Sequence, residues 1–210
     1  MNNSSRRPLK IRDTKISKNI AKWLSKKNIT PNQISVASIG FSAFAAICLA
    51  LLPNSNWLIP ILAAVFIQCR LLCNLFDGMV AMEGGKKTAA GELFNDIPDR
   101  IADSLILIAA GYAIYVVNFA FIAGWCAAIL AVMTAYIRTL ATSIGAPTNF
   151  QGPMAKQHRM AVMTIACVLT AFEPQGYFIL LALFIIIFGS IITIYRRTIL
   201  AYKFLEKKHD

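Results

Sequence analysis

Acidic side chains are scarce in this chain. Ten of its 210 residues are Asp or Glu, against 21 Lys and Arg, for a formal net charge of +11. An excess of that size is the footprint of a nucleic-acid binder when it is spread over a polar surface. Its placement excludes that class here. Nine of the basic residues precede residue 30, and five (Arg196, Arg197, Lys203, Lys207, Lys208) close the chain. The rest fall near residues 70–100 and 138–159, and the turns around Pro53–Trp57, Val116–Phe119 and Glu173–Gly176 carry none. Such one-sided placement is the positive-inside bias of a membrane protein, and it puts both termini in the cytoplasm.

Other things are missing too. The five cysteines (Cys48, Cys69, Cys73, Cys126, Cys167) show no ligand-like spacing, which argues against a zinc site or a disulfide framework and leaves packing. No cleavable signal peptide is expected, because the basic start runs directly into a polar amphipathic segment. Low-complexity linkers and convincing internal repeats are absent, so one domain is expected.

What remains is apolar. Hydrophobic residues make up 57% of the chain, and the mean hydropathy is +0.59. That is too apolar for an ordinary soluble domain. Six apolar stretches follow one another at roughly 32–53, 57–82, 89–116, 119–143, 158–172 and 177–199. Most approach the ~20 residues that cross a bilayer. The fifth is short and draws on the residues before it. Six spans return the chain to its starting side, in agreement with the charge map.

Residues 1–12 read as a disordered basic tail. Residues 13–27 place Ile16, Ile20 and Leu24 at i, i+4, i+8 among lysines, which predicts a basic amphipathic helix on the membrane surface. Thr30, Pro31 and Gln33 then supply an N-cap, an N1 proline and a capping box for the first span. The expectation is an all-α polytopic membrane protein. Its parts are the tail, the interfacial helix, a six-helix transmembrane domain over 30–200 and a basic cytoplasmic tail over 201–210.

Against this background the ten acids are unevenly placed: six fall within residues 74–103. A carboxylate at the centre of a membrane helix costs about 2.5–3.5 kcal/mol on insertion scales, so it usually faces a cavity, a partner or an ion. Asn74 and Asp77 are i, i+3 at the end of the second span. Gly78 and Ala81 follow with almost no bulk, which permits close approach of a ligand or backbone. Gly91, Asn95, Asp99 and Asp103 form one stripe at i+4 steps on the third span. The Gly84–Lys87 link is expected to fold the two spans into an antiparallel pair with converging polar faces. Carboxylate and amide oxygens brought together there suit a hard cation, Mg²⁺ first.

Residues 74–99 read N-x2-D-G-x2-A-M-x8-G-x3-N-x3-D. This closely resembles the signature of the CDP-alcohol phosphotransferase (CDP-alcohol phosphatidyltransferase) family, D-x2-D-G-x2-A-R-x8-G-x3-D-x3-D, with every spacing kept. Six spans, a leading amphipathic helix and the Ile29–Asn32 opening of the first span are similar to the family as well. The resemblance implies transfer of a phosphatidyl or other phospho-alcohol group from a CDP-alcohol, most often CDP-diacylglycerol, to an acceptor hydroxyl. CMP is released, and the product is a phospholipid. It implies Asn74, Asp77, Asn95 and Asp99 as ligands of one or two Mg²⁺ or Mn²⁺ ions, and Asp77, Gly78, Ala81 and Gly91 as the CDP-binding surface. Asp99 would be the general base, and the enzyme a homodimer in the bacterial inner membrane with its active site facing the cytoplasm.

The departures matter. Asn74 and Asn95 stand where the family has aspartates, and an amide oxygen ligates without contributing charge. Asp96 could join the ligand set if Pro98 distorts the helix, since proline removes a backbone hydrogen bond and frees the Phe94 carbonyl. Met82 replaces the family's arginine, with Lys86, Lys87 and Arg100 as candidates to restore its charge. These changes motivate an alternative, a homologue that binds nucleotide or lipid without turnover. A carrier is disfavoured, because the charges gather at one face instead of lining several spans. The plainest competing reading makes the polar residues interhelical glue, with Asp103 pairing Arg70 or Arg100.

A second polar cluster follows. Arg138, Lys156 and Arg159 read as a pocket for a phosphorylated or polar alcohol acceptor, or else as cytoplasmic anchors. His158 reads as an interfacial side chain, and an arginine of the Arg196–Arg197 pair could reach the pocket. The identity of the acceptor is not readable from these residues.

Overall fold

The computed structural model describes residues 14–54, 56–83 and 90–209. The expected basic tail and the Gly84–Lys87 link, with Lys86 and Lys87, lie outside the described residues. Among the described residues there are seven α-helices: α1 (Lys15–Lys26), α2 (Pro31–Leu51), α3 (Leu58–Glu83), α4 (Gly91–Tyr112), α5 (Ala120–Ser143), α6 (Lys156–Thr170) and α7 (Tyr177–His209). A 3₁₀ turn, Leu52–Asn54, ends α2.

The local signals hold. Thr14 caps α1, its Oγ1 accepting from the Ser17 amide at 3.3 Å. The capping box of α2 is complete: Thr30 Oγ1 accepts from the Gln33 amide at 3.2 Å, and Gln33 Oε1 accepts from the Thr30 amide at 2.9 Å. At the other end of the bundle Glu173 caps α7, accepting from the amides of Gln175 and Tyr177. Ser17 and Ala21 form the buried side of α1, which packs on α3. Ile16, Ile20 and Trp23 stay exposed, as a helix lying on a lipid surface requires.

The other six helices close a ring in the order α2, α3, α6, α7, α5, α4 and back to α2. α2 packs against both α3 and α4, which touch each other only slightly. This corrects the expected antiparallel α3–α4 pair: the two polar faces converge around α2. The core is built from small and medium side chains, including Ala45, Leu49, Ile67, Ile106, Met163 and Leu183. α5 buries Ala120, Ala123, Gly124, Ala127, Ala128 and Ala131, the small-residue interface of packed membrane helices. A Cβ on Gly111 of α4 would sit 2.9 Å from the Gly124 Cα of α5, so both positions must stay bare for the helices to cross there. Large apolar residues such as Phe44, Val65, Ile129 and Phe188 face outward.

Among the described residues four helices are long and apolar enough to cross a membrane: α2, α3, α5 and α7. The chain is an integral membrane protein. α4 carries five charged residues, and α6 is 15 residues long, so these two do not meet the same measure of length and composition. Residues 146–155 before α6 are irregular yet partly buried. Side chains satisfy their backbone: the Met154 amide donates to Thr193 Oγ1, Arg159 donates to the Met154 carbonyl, and Arg197 donates to the Gln151 carbonyl. Irregular backbone at membrane depth is tolerated where protein covers it in this way. α7 runs on to His209, through the segment expected as a tail from residue 201. Its apolar register continues there through Leu200 and Phe204, which line a cavity against α5.

Candidate active site

α3 places Arg70, Asn74 and Asp77 one above another on one face. Asp77 is buried, and its Oδ2 accepts a hydrogen bond from Ser35 Oγ of α2 at 2.7 Å. Both polar atoms of the Asn74 side chain are buried and have no hydrogen-bond partner. α4 contributes Asp99 and Asp103 one turn apart, each 2% exposed. Arg70 is fully buried and bridges the helices: its Nη2 donates to Asp103 Oδ1 at 2.6 Å and to Asp99 Oδ1 at 3.2 Å.

α6 closes the centre from the other side. The Lys156 ammonium pairs with Asp99 Oδ2. Arg159 Nη2 donates to Asp103 Oδ2 at 2.8 Å, and its Nη1 donates to Thr134 Oγ1 at 3.2 Å. Arg197 of α7 extends the chain of contacts by donating to the Thr134 carbonyl at 2.5 Å. An unpaired charge in such an interior would cost several kcal/mol, so each of these ions is held by a partner on another helix.

The pairings resolve the reading of Asp103, which binds Arg70 and Arg159 and does not pair with Arg100. Asp96 instead receives Arg138 Nη2 at 2.8 Å and Arg100 Nη2 at 3.6 Å, at the partly exposed rim of the centre. Arg100 also reaches to 3.9 Å from Asp99 Oδ2, which brings one of the three candidates for the missing family arginine to the site. Met82 itself is exposed.

The structure thus buries Asp77, Asp99 and the polar atoms of Asn74, and leaves Asn95 exposed and Asp96 half-buried at the rim. Asn95 is exposed on α4, and α4 stays helical through Pro98, so the proline does not turn Asp96 inward. Gly78 and Ala81 continue the α3 surface past Asp77, and Gly91 is the first residue of α4. Among the described residues no three His, Cys, Asp or Glu side chains are arranged to hold a metal ion. A set of two carboxylates and the orphaned Asn74 amide oxygen nevertheless suits one hard cation. The buried, unpartnered Asn74 side chain is the observation that makes it fit, since a buried polar atom normally has a partner.

The acceptor candidates separate. Arg159 is buried in its pair with Asp103, Lys156 stands on Asp99, and Arg138 lines a cavity of about 390 Å³ between α5 and α7. Arg197, Lys203 and Lys207 line the same cavity, and among the described residues its wall includes no Asp or Glu. Arg138 also stacks over the Phe150 ring, 5.6 Å from its centroid. His158 is exposed, and its Nδ1 lies 2.6 Å from the Pro153 carbonyl.

Two contributors were not singled out from the sequence. Ser35 belongs to a buried stripe with Ser38 and Ser42, visible as serines at helical spacing in an apolar run. Arg70 was weighed only as a partner for Asp103, although a lone arginine deep in an apolar span is itself a functional signal.

A helical membrane bundle whose buried polar centre is held between motif-bearing helices defines a class of integral-membrane protein. The comparisons specify it. The family model for CDP-alcohol phosphatidyltransferase matches residues 28–195. The chain belongs to that family, and it is a transferase. It is 26% identical over 158 residues to the inner membrane protein YnbA of Escherichia coli, covering 73% of this chain and 74% of that protein. It is 27% identical over 191 residues to an uncharacterized protein of Aquifex aeolicus, covering 90% of each. The fold is similar to that of Mycobacterium tuberculosis phosphatidylinositol phosphate synthase with CDP-DAG bound, at TM-score 0.76 and 20% identity over 90% of this chain and 94% of that one. The same synthase with manganese and citrate matches at TM-score 0.75 and 20% identity, covering 88% of each chain.

Proposed function

We propose that this enzyme transfers the phosphatidyl group of CDP-diacylglycerol to the hydroxyl of an anionic alcohol and releases CMP. The observation that supports the reading is the burial of Asp77, Asp99 and the unpartnered polar atoms of Asn74, three positions of the spaced motif, with Arg70 and Lys156 paired to Asp99. The matched synthase, which binds CDP-DAG and was also obtained with manganese, supports both the donor and a divalent ion.

Asn74, Asp77 and Asp99 would hold a Mg²⁺ or Mn²⁺ ion. Such an ion neutralises the donor pyrophosphate and stabilises the departing phosphate. The protein's own groups do the rest. Ser35 fixes the Asp77 carboxylate. Gly78, Ala81 and Gly91 leave room for the cytidine, and Lys156 and Arg100 present positive charge to the pyrophosphate. The acceptor hydroxyl attacks the phosphorus that carries the diacylglycerol. A new P–O bond forms there, the bond to the CMP oxygen breaks, and Asp99 takes the hydroxyl proton.

The cavity beside Arg138 is the acceptor's place in this reading. Four cations (Arg138, Arg197, Lys203, Lys207) facing Leu200 and Phe204 suit a phosphorylated alcohol over a neutral one. α4 and α6 complete six spans, and the one-sided basic residues put both termini and the site in the cytoplasm. A homodimer follows from the family resemblance alone.

The test is an acceptor screen. Detergent-purified protein is incubated with labelled CDP-diacylglycerol, Mg²⁺ or Mn²⁺, and glycerol phosphate, inositol phosphate, inositol or serine. CMP release is counted and the lipid identified by mass spectrometry. The reading expects a phosphorylated acceptor to drive CMP release. Turnover with neutral alcohols alone would sink the assignment of the acceptor cavity.

A further inference from the structure

The buried acids of the centre are already matched by basic partners. Three buried carboxylates, Asp77, Asp99 and Asp103, face the buried guanidinium groups of Arg70 and Arg159 and the Lys156 ammonium, whose side chain is 25% exposed. At the rim Asp96 is outnumbered by Arg100 and Arg138. Lys156 is the unusual member. It comes from the first turn of α6, stands directly on the carboxylate assigned as base, and acts electrostatically on Asp77 as well. It thus influences both carboxylates that a divalent ion would share. Asn95, whose position a second ion would need, is exposed on α4 and carries no charge.

Resting on the reaction assigned above, we propose that Lys156 is a built-in counter-cation that takes the place of a second metal, so that the centre holds one divalent ion per chain. One ion against a doubly charged pyrophosphate diester restores neutrality. Two ions would leave a large uncompensated positive charge in a poorly solvated interior, where like charges repel strongly. The loss of charge at Asn74 and Asn95 and the presence of Lys156 are then two halves of one adaptation. A monovalent ammonium fixed to the protein replaces an exchangeable dication, and the carboxylates that would have held that dication are no longer needed.

The test counts ions directly. Purified protein is titrated with Mn²⁺ in the presence of CDP, and free Mn²⁺ is followed by electron paramagnetic resonance. One Mn²⁺ per chain is expected for the unaltered enzyme. Lys156→Met removes a like charge a few ångströms from the ion and should tighten Mn²⁺ binding about tenfold, whereas Lys156→Arg should leave it within about twofold of the original. Two Mn²⁺ per chain in the unaltered enzyme, or unchanged or weaker binding in Lys156→Met, would overturn the proposal. The unaltered enzyme needs no variant to fold, so its ion count decides by itself. One bound ion with no CMP release from any acceptor would defeat the assigned reaction and leave the ion count standing. Two bound ions with CMP release would do the reverse.

Discussion

At the residue scale the centre holds one carboxylate, Asp103, whose two partners are both fully buried. Asp103 neutralises two buried arginines at once. Asp103→Asn should therefore strand charge in the interior and destabilise the protein by about 3–5 kcal/mol. A clear fall in thermal midpoint in detergent would show this, and an unchanged midpoint would remove the network from the account of stability. Ser35 has a different task. Its hydroxyl donates to Asp77 Oδ2, and Ser35→Ala leaves that oxygen without its partner at a cost of about 1–3 kcal/mol. The expected result is CMP release lowered by about tenfold with a smaller loss of stability, measured as turnover beside the melting curve. The candidate ligands Asn74, Asp77 and Asp99 were legible as residues, because their spacing is fixed and polar groups in an apolar run are conspicuous. That Asn95 stays exposed and Asp96 sits at the rim with Arg100 and Arg138 was not. A stripe at i+4 steps states which face a side chain shares and nothing about what packs there.

At the element scale, helix boundaries followed from caps and hydropathy, and the capping box of α2 is an instance where three residues settled a helix start. Partnership between helices was harder. Adjacency in the chain suggested that α3 pairs with α4, yet each packs mainly on α2 and they meet chiefly through Arg70, because a ring of six helices offers each one neighbours remote in sequence. The close crossing of α4 and α5 depends on Gly111 and Gly124. Gly124→Ala should force the helices apart and cost about 1–3 kcal/mol, read as a lowered melting temperature in detergent. A neutral outcome would mean that the crossing is more pliable than its geometry indicates. The length of α7 was also underread. Basic residues from 203 onward resemble a tail in composition, while Leu200 and Phe204 keep the helix packed against the cavity.

At the scale of the whole molecule, charge placement carries the account. Basic residues gather at the chain ends and near residues 70–100 and 138–159, large apolar residues face outward, and six of the ten acids fall within residues 74–103. The proposed orientation predicts that reporter fusions at either terminus, and a cysteine probe placed at Lys203, report the cytoplasmic side, whereas a probe at Gln175 reports the opposite side. A probe at Gln175 on the cytoplasmic side would remove α6 as a span. Class and fold were readable from sequence because a bilayer imposes long-range order on composition. The acceptor was not, since the cavity proposed for it is assembled from α5, α7 and the loop between α5 and α6, whose residues have no fixed spacing.

The most direct test of the central claim compares acceptor-dependent CMP release by the unaltered protein with release by Asp99→Asn and Asp77→Asn, in the presence of Mn²⁺. The account predicts that each substitution lowers turnover by about 10²–10⁴-fold while the protein remains folded, and that Asp77→Asn also weakens Mn²⁺ binding. Full turnover by Asp99→Asn would contradict it.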